Sequence, residues 1–288
     1  MRNRSWNSVD RQKPVNRRKA VDYRKAINRW SAVNRRLGPV VLLGIMIASL
    51  WFAVGASTGT SAGQGQPVIY IAGDSTVQTY TDAQRPQAGW GQMIGRYFDQ
   101  GVTFRNHAIS GRSTRTFIEQ GRLDAIWREI QPGDYLLIQF GHNDANQAKP
   151  DRYTPVADYK RYLHQYIQGA RDHGATPILI TPMGTRTPDA DGHFQISFPE
   201  YVAAMKQVAS DTATPLLDLS ASSVAYYNSI GAEATKQLFL YTAPGQYPAF
   251  IAGSADDIHF QEYGADRIAR LVADGIRALS LPISTHVQ

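Results

Sequence analysis

The sequence contains no cysteine. That excludes a disulfide framework, thiolate metal ligands and a cysteine nucleophile. It leaves the compartment open, since exported proteins also fold without disulfides. Charge is missing from residues 39–56, PVVLLGIMIASLWFAVGA, which hold no Asp, Glu, Lys or Arg. Basic residues are scarce in the body of the chain. Of 30 Lys+Arg, 12 fall in residues 1–38 beside 2 of the 24 Asp+Glu, a net of +10 there; 18 basic and 22 acidic residues remain, a net of −4. The overall charge of +6 therefore belongs to the N-terminal segment. The body has no basic excess with which to grip nucleic acid. It also has no internal repeat and, after residue 66, no low-complexity tract.

The uncharged run 39–56 is just long enough for a membrane helix. Arg35 and Arg36 precede it and no Lys or Arg follows until Arg85, so the positive-inside rule puts residues 1–38 in the cytoplasm and the body outside. Two readings stand: an uncleaved anchor, favoured by the long basic front, or a signal peptide cut after Val54-Gly55-Ala56. Residues 57–66, rich in Gly, Ser and Thr, form a flexible linker and mark the domain boundary.

From residue 67 to 281 strand-like and helix-like segments alternate. Strands are expected at 68–72, 102–106, 135–140, 177–181 and 215–219, and helices at 89–99, 123–130, 156–173, 198–210, 220–234 and 261–279. The helix at 156–173 carries Tyr159, Leu163, Tyr166, Ile167 and Ala170 on one stripe. Alternation of this kind implies βαβ units and a parallel sheet covered on both faces, in one α/β domain. Residues 282–288 read as a C-terminal tail.

Four stretches stand at element ends, where open α/β sheets bind ligands. Gly73-Asp74-Ser75 follows the first strand; its serine is either a nucleophile or a helix N-cap. Gly111 lies beyond the second strand, Gly141-His142-Asn143-Asp144 beyond the third, and Asp256-Asp257-Ile258-His259 before the last helix. Together they meet the demands of acyl transfer. Serine needs a base to take its proton, and His259 is that base. A carboxylate on the other ring nitrogen fixes the tautomer, from Asp256 folding back in a tight loop or from its competitor Asp257. The Ser75 N–H, the Gly111 N–H and the Asn143 amide supply oxyanion donors.

At these residues the chain resembles the SGNH (GDSL-like) hydrolases, and within them the rhamnogalacturonan acetylesterase group. The resemblance covers the whole body, with four blocks in the family's order. It is strengthened by Gly111-Arg-Ser-Thr-Arg-Thr-Phe, by Gly121-Arg-Leu-Asp and by the run from Pro132 to Asp144. It implies a flavodoxin-like three-layer α/β/α sandwich with a five-stranded parallel sheet, here preceded by the N-terminal membrane helix. It implies Ser75, Asp256 and His259 as a triad, with Gly111 and Asn143 joining the Ser75 N–H as oxyanion donors. One departure is Ile258, where family members often have Thr before the histidine.

The implied reaction is removal of O-acetyl groups from an acidic pectic polysaccharide, with no cofactor and no metal. Trp90, Tyr80, His107 and Tyr263 lie near the blocks in sequence, where they can stack on sugar rings, with core packing the favoured role for Trp90 and Tyr263 since large aromatics mostly bury. Arg112 and Arg115 are placed to meet a uronate carboxylate, against structural salt bridges. Asp189-Ala-Asp191-Gly192 reads as a polar turn rather than a calcium loop. Rival functions are a lipase or esterase on small or lipid acyl esters, an acyltransferase to cell-envelope glycans, and a carbohydrate-binding protein without turnover.

Overall fold

A computed structural model describes residues 65–288. The basic segment 1–38, the expected membrane helix 39–56 and most of the linker lie outside the described residues. Among the described residues no helix is long and apolar enough to cross a membrane.

The strands of the described residues are, in chain order, β1 (Val68–Gly73), β2 (Gln87–Ala88), β3 (Thr103–Asn106), β4 (Tyr135–Gln139), β5 (Thr176–Ile180), β6 (Leu216–Leu217), β7 (Phe239–Thr242) and β8 (Ser254–Gln261). Five of them form one sheet in the order β3-β1-β4-β5-β6 with every neighbour parallel. This is the flavodoxin-type order. The chain leaves β1 in one direction and returns on its other side at β4, which opens a crevice at their carboxyl ends.

The pleat sends alternate residues to opposite faces. Ile69, Ile71, Tyr135 and Leu137 face one side of the sheet, where the helix Glu262–Ala278 packs Ala265, Ile268, Val272 and Ile276 against them. Tyr70, Ala72, Leu136 and Ile138 face the other, covered by Leu163 and Tyr166 of the helix Val156–Asp172 and by Met205 of the helix Pro199–Asp211. Both faces of β1 and β4 are dry, so these strands read as near-continuous apolar runs.

The expected helix at 89–99 is a short α-helix, Trp90–Met93, followed by a 3-10 turn at Ile94–Tyr97. The expected helix at 220–234 is broken at Gly231 into Leu219–Ile230 and Ala232–Lys236. Residues 282–288 are no loose tail. Pro282–His286 forms a 3-10 turn, Ile283 is buried, and the Asp99 N–H donates to the His286 carbonyl at 2.9 Å.

A second, antiparallel sheet of order β2-β8-β7 was not legible in the alternation. It corrects the tight loop expected at 256–259, because that stretch lies inside β8. Phe260 pairs with Phe239 while Asp256 pairs with Leu240, so Asp257, Ile258 and His259 are extra residues in a wide bulge. Bulges re-aim side chains. This one turns the end of a small sheet toward the carboxyl edge of the large one.

Candidate active site

The serine turn is built from below. β1 ends at Gly73, where a Cβ would meet Val77 Cγ2 at 2.8 Å and the Gln139 carbonyl at 3.1 Å, so only glycine lets the turn fold so close to β4. The next residues form a turn in which the Val77 and Gln78 N–H groups both donate to the Asp74 carbonyl at 3.1 Å. No helix starts there, so Ser75 is not an N-cap. Asp74 is fully buried, and its Oδ1 accepts the Thr76 N–H at 2.9 Å and the Thr76 hydroxyl at 2.8 Å. Thr76 Oγ1 in turn accepts from Gln139 Nε2 at 2.9 Å, and Gln139 Oε1 accepts from Trp90 Nε1 at 2.7 Å. Tyr80 caps the turn by donating its hydroxyl to the Ser75 carbonyl at 2.9 Å. Burial works against ionising Asp74, but His142 and the two bonds from Thr76 outweigh it and hold the carboxyl below its ordinary value. The second oxygen of Asp74 lies 3.6 Å from His142 Nδ1, too far for a hydrogen bond.

The imidazole arrives from the bulge in β8. His259 Nε2 is 2.9 Å from Ser75 Oγ, and His259 Nδ1 is 2.7 Å from Asp256 Oδ2. With the proton on Nδ1, that N–H donates to Asp256 and Nε2 accepts from the serine hydroxyl. The other oxygen of Asp256 accepts the N–H groups of Ile258 at 2.8 Å and of His259 at 3.0 Å, so the carboxylate closes the bulge onto itself. Burial works to raise the Asp256 pKa, yet these bonds and the imidazole win, and the group lies below its ordinary value. Asp257 points elsewhere: Arg186 Nη1 reaches its Oδ1 at 3.0 Å, the Tyr241 hydroxyl donates to the same oxygen at 2.5 Å, and the Arg186 N–H donates to its carbonyl at 2.8 Å. That clamp removes Asp257 as the partner of the imidazole.

The donors expected for an oxyanion face the same cleft. Gly111 has φ +77°, in the left-handed region that glycine takes without strain. The Ser75 and Gly111 N–H groups make no hydrogen bond among the described residues. Asn143 Nδ2 uses one hydrogen on the Arg112 carbonyl at 2.9 Å and keeps the other. Asp144 fastens this loop to the next one by accepting the Thr114 N–H at 3.0 Å. Buried, it is pushed up to about 7 despite the Thr114 bonds.

Ser75, Gly111, Asn143 and His259 line one cleft of about 590 Å³. Arg112 lines it as well, together with Ser110, Gln120, Asn146 and Arg152, which the sequence did not single out. Two expected substrate contacts are corrected. Trp90 has 0% exposure and belongs to the network beneath the serine. Tyr263 is exposed on the helix Glu262–Ala278 under the Arg267 guanidinium, 5.5 Å from its centroid, and does not line the cleft. Tyr80 is likewise buried, His107 packs 5.9 Å from the Tyr70 ring, and Arg115 is bound to Glu119 at 2.9 Å and to the Asp151 carbonyl at 2.7 Å. Asp189 does form a polar turn, its carboxylate accepting the Asp191 and His193 N–H groups. One missed member carried a signal: Gln139 is a polar residue closing an apolar run, and a buried amide needs partners. Nothing local in the sequence marks Arg152 or Arg186.

Residues 69–272 match the family model described as GDSL-like lipase/acylhydrolase. The chain is 45% identical over 220 residues to the probable rhamnogalacturonan acetylesterase YesY of Bacillus subtilis, covering 76% of this chain and 96% of that protein. It is 42% identical over 219 residues to the rhamnogalacturonan acetylesterase RhgT of the same organism, covering 76% and 93%. The crystal structure of YxiM from B. subtilis superposes with a TM-score of 0.65 at 33% identity, covering 75% of this chain and 58% of that one. With the four blocks in place on a flavodoxin-type sheet, this chain belongs to the GDSL-like lipase/acylhydrolase family.

Proposed function

We propose that this chain is a serine esterase that removes O-acetyl groups from a pectic polysaccharide of the rhamnogalacturonan type. One observation carries the reading: the unbroken line Ser75–His259–Asp256, with spacings of 2.9 and 2.7 Å, opening on a polar cleft. The names of YesY and RhgT supply the substrate class.

In this mechanism Ser75 Oγ attacks the acetyl carbonyl carbon while His259 Nε2 takes the hydroxyl proton. Asp256 stabilises the imidazolium across Nδ1. The carbonyl oxygen becomes an oxyanion between the Ser75 N–H, the Gly111 N–H and the free Asn143 hydrogen. Collapse breaks the bond to the sugar oxygen, which leaves with the proton from His259. Water then repeats the sequence on the acetyl-serine, losing its proton to His259, and acetate departs. The lining favours a sugar chain over a fatty acyl chain. Ser110, Arg112, Thr116, Gln120, Asn146 and Asp151 are polar, and Ile258 is the large apolar side chain among the lining residues. A lipid acyl group needs a mainly apolar wall.

The test is acetate release from acetylated rhamnogalacturonan beside a long-chain ester. The polysaccharide is expected to be the better substrate, and Ser75→Ala is expected to lose about 10⁴-fold or more in rate. Near-full turnover in that variant discards the mechanism. The uncharged run 39–56 and the basic residues before it support an esterase domain held outside the cytoplasm on an anchor, or exported after cleavage. Protease added to intact cells is then expected to digest the body; protection until lysis reverses the orientation.

A further inference from the structure

Beside the triad lie three polar atoms that the mechanism leaves idle. Asp74 Oδ2 and both ring nitrogens of His142 are buried and form no hydrogen bond among the described residues. The two side chains are 0% and 5% exposed, and His142 Nδ1 stands 3.6 Å from Asp74 Oδ2. Buried groups are nearly always satisfied, because each one left alone costs stability. A carboxylate only accepts, so a neutral imidazole facing it carries its proton on Nδ1. The two groups thus face each other as donor and acceptor and stop short of a bond. Phe198 packs on the same imidazole, ring centroids 5.1 Å apart at 71°, with its own backbone at φ +54°. A bulky residue holds that left-handed conformation only where its surroundings impose it, and such strain gathers at functional sites.

The place of the pair in the chain gives the gap a meaning. Asp74 precedes Ser75 and His142 precedes Asn143, so the pair spans the serine turn and the loop that carries the Asn143 donor. That loop is fastened toward Gly111, by Asn143 on the Arg112 carbonyl at 2.9 Å and by Asp144 on the Thr114 N–H at 3.0 Å. Among the described residues no hydrogen bond joins residues 74–78 to residues 141–145. Their polar approach is the open Asp74–His142 pair. An oxyanion held by the Ser75 N–H and the Asn143 amide at once draws these two segments together. We propose that His142 is a positioning residue of the esterase: as the oxyanion forms, its imidazole closes on Asp74 and Nδ1–H donates to Oδ2. The new bond holds Asn143 against the serine turn. Because it is made in the transition state and not before, it raises kcat rather than tightening substrate binding. The proposal rests on the serine mechanism above and is independent of which acetate ester is cleaved.

Two measurements test it. The first is kinetic, on acetylated rhamnogalacturonan and on 4-nitrophenyl acetate. His142→Phe keeps a ring against Phe198 and loses both nitrogens. It is expected to lower kcat by about tenfold to a hundredfold on both esters with KM nearly constant, as loss of a bond to a charged group implies. His142→Asn sets an amide N–H where Nδ1 stood and is expected to recover part of that loss. A rise in KM at constant kcat, or equal losses in the two variants, overturns the pair. A kcat effect of His142→Phe on 4-nitrophenyl acetate, in a protein that deacetylates no polysaccharide, discards the substrate class and keeps the pair. The second measurement reads the imidazole itself, by NMR of the full chain labelled with nitrogen-15 in histidine. Ser75 is converted to its methylphosphonate ester, a tetrahedral adduct with an anionic oxygen. The His142 Nδ1–H resonance, identified by its absence from His142→Asn, is expected to move downfield in the adduct as the bond to the carboxylate forms. An unmoved resonance overturns the pair, while the adduct upholds Ser75 as the nucleophile. A Ser75 that takes up no phosphonate discards the mechanism and the pair with it.

Discussion

The two halves of the candidate triad are held in opposite ways. Ser75 stands on a turn packed against the main sheet, above Asp74, Thr76, Gln139 and Trp90, each with 0% exposure. His259 and Asp256 stand on a bulge at the rim of a three-stranded sheet, next to Ile258 at 40% exposure. Core packing fixes the serine. Local hydrogen bonds and the Arg186–Asp257 clamp fix the imidazole. A nucleophile that must meet donors at fixed points belongs on the rigid side, whereas a base that passes a proton both ways works from a hydrogen-bonded rim.

This contrast can be broken from either side. The largest effect is expected from Asp256→Asn, which loses the carboxylate that sets the tautomer and drops kcat by about 10⁴-fold. Because the bonds that hold this carboxylate are local to the bulge, the denaturant midpoint should fall less than for a change in the core beneath Ser75, and an equal or larger fall would show the rim to be part of that core. Trp90→Phe attacks the other half. It strips the donor from Gln139 and leaves a gap in a dry site, at a cost of about 2–3 kcal/mol in unfolding free energy. Arg186→Gln loosens the bulge without touching the ring. A fall in kcat of roughly tenfold to a hundredfold with KM nearly constant is expected, as for a misplaced catalytic group.

The smallest effect sharpens the comparison through pH. Asp144 rises from its ordinary 3.8 to about 7 on folding. Between those values the native protein holds a proton that the unfolded chain has lost, so this group's contribution to stability falls as pH rises from about 4 to about 7. Asp144→Asn is expected to flatten that slope, read from denaturant midpoints at stepped pH. Asp256 has the opposite sign. Its lowered value stabilises the fold above the ordinary carboxylate range, and that support is lost as acid protonates it.

The main sheet was legible because β1, β4 and β5 are apolar on both faces, a pattern set by burial and visible within each segment. Four site blocks were legible because each sits at the end of such a segment. The small sheet was not: β8 reads Ser-Ala-Asp-Asp-Ile-His-Phe-Gln, too polar for a buried strand and bulged where its chemistry lies. Trp90 and Tyr263 were misplaced for a related reason. Proximity to a block along the chain does not say whether a side chain turns into the core or out to solvent. Arg186 reaches Asp257 across 71 positions of chain, beyond what any local pattern encodes.

The pairing on either side of the bulge bears on how this domain tolerates change over evolutionary time. Phe260 is anchored by Ala88 on one flank and Phe239 on the other, while Asp256 is registered to Leu240. The stretch between those anchors holds His259, so an insertion or deletion there moves the imidazole off Ser75, and its length is fixed by the contact it makes. Lineages can reshape the range of glycans admitted only through walls of the cleft outside this bracket, such as the stretch from Ser110 to Gln120.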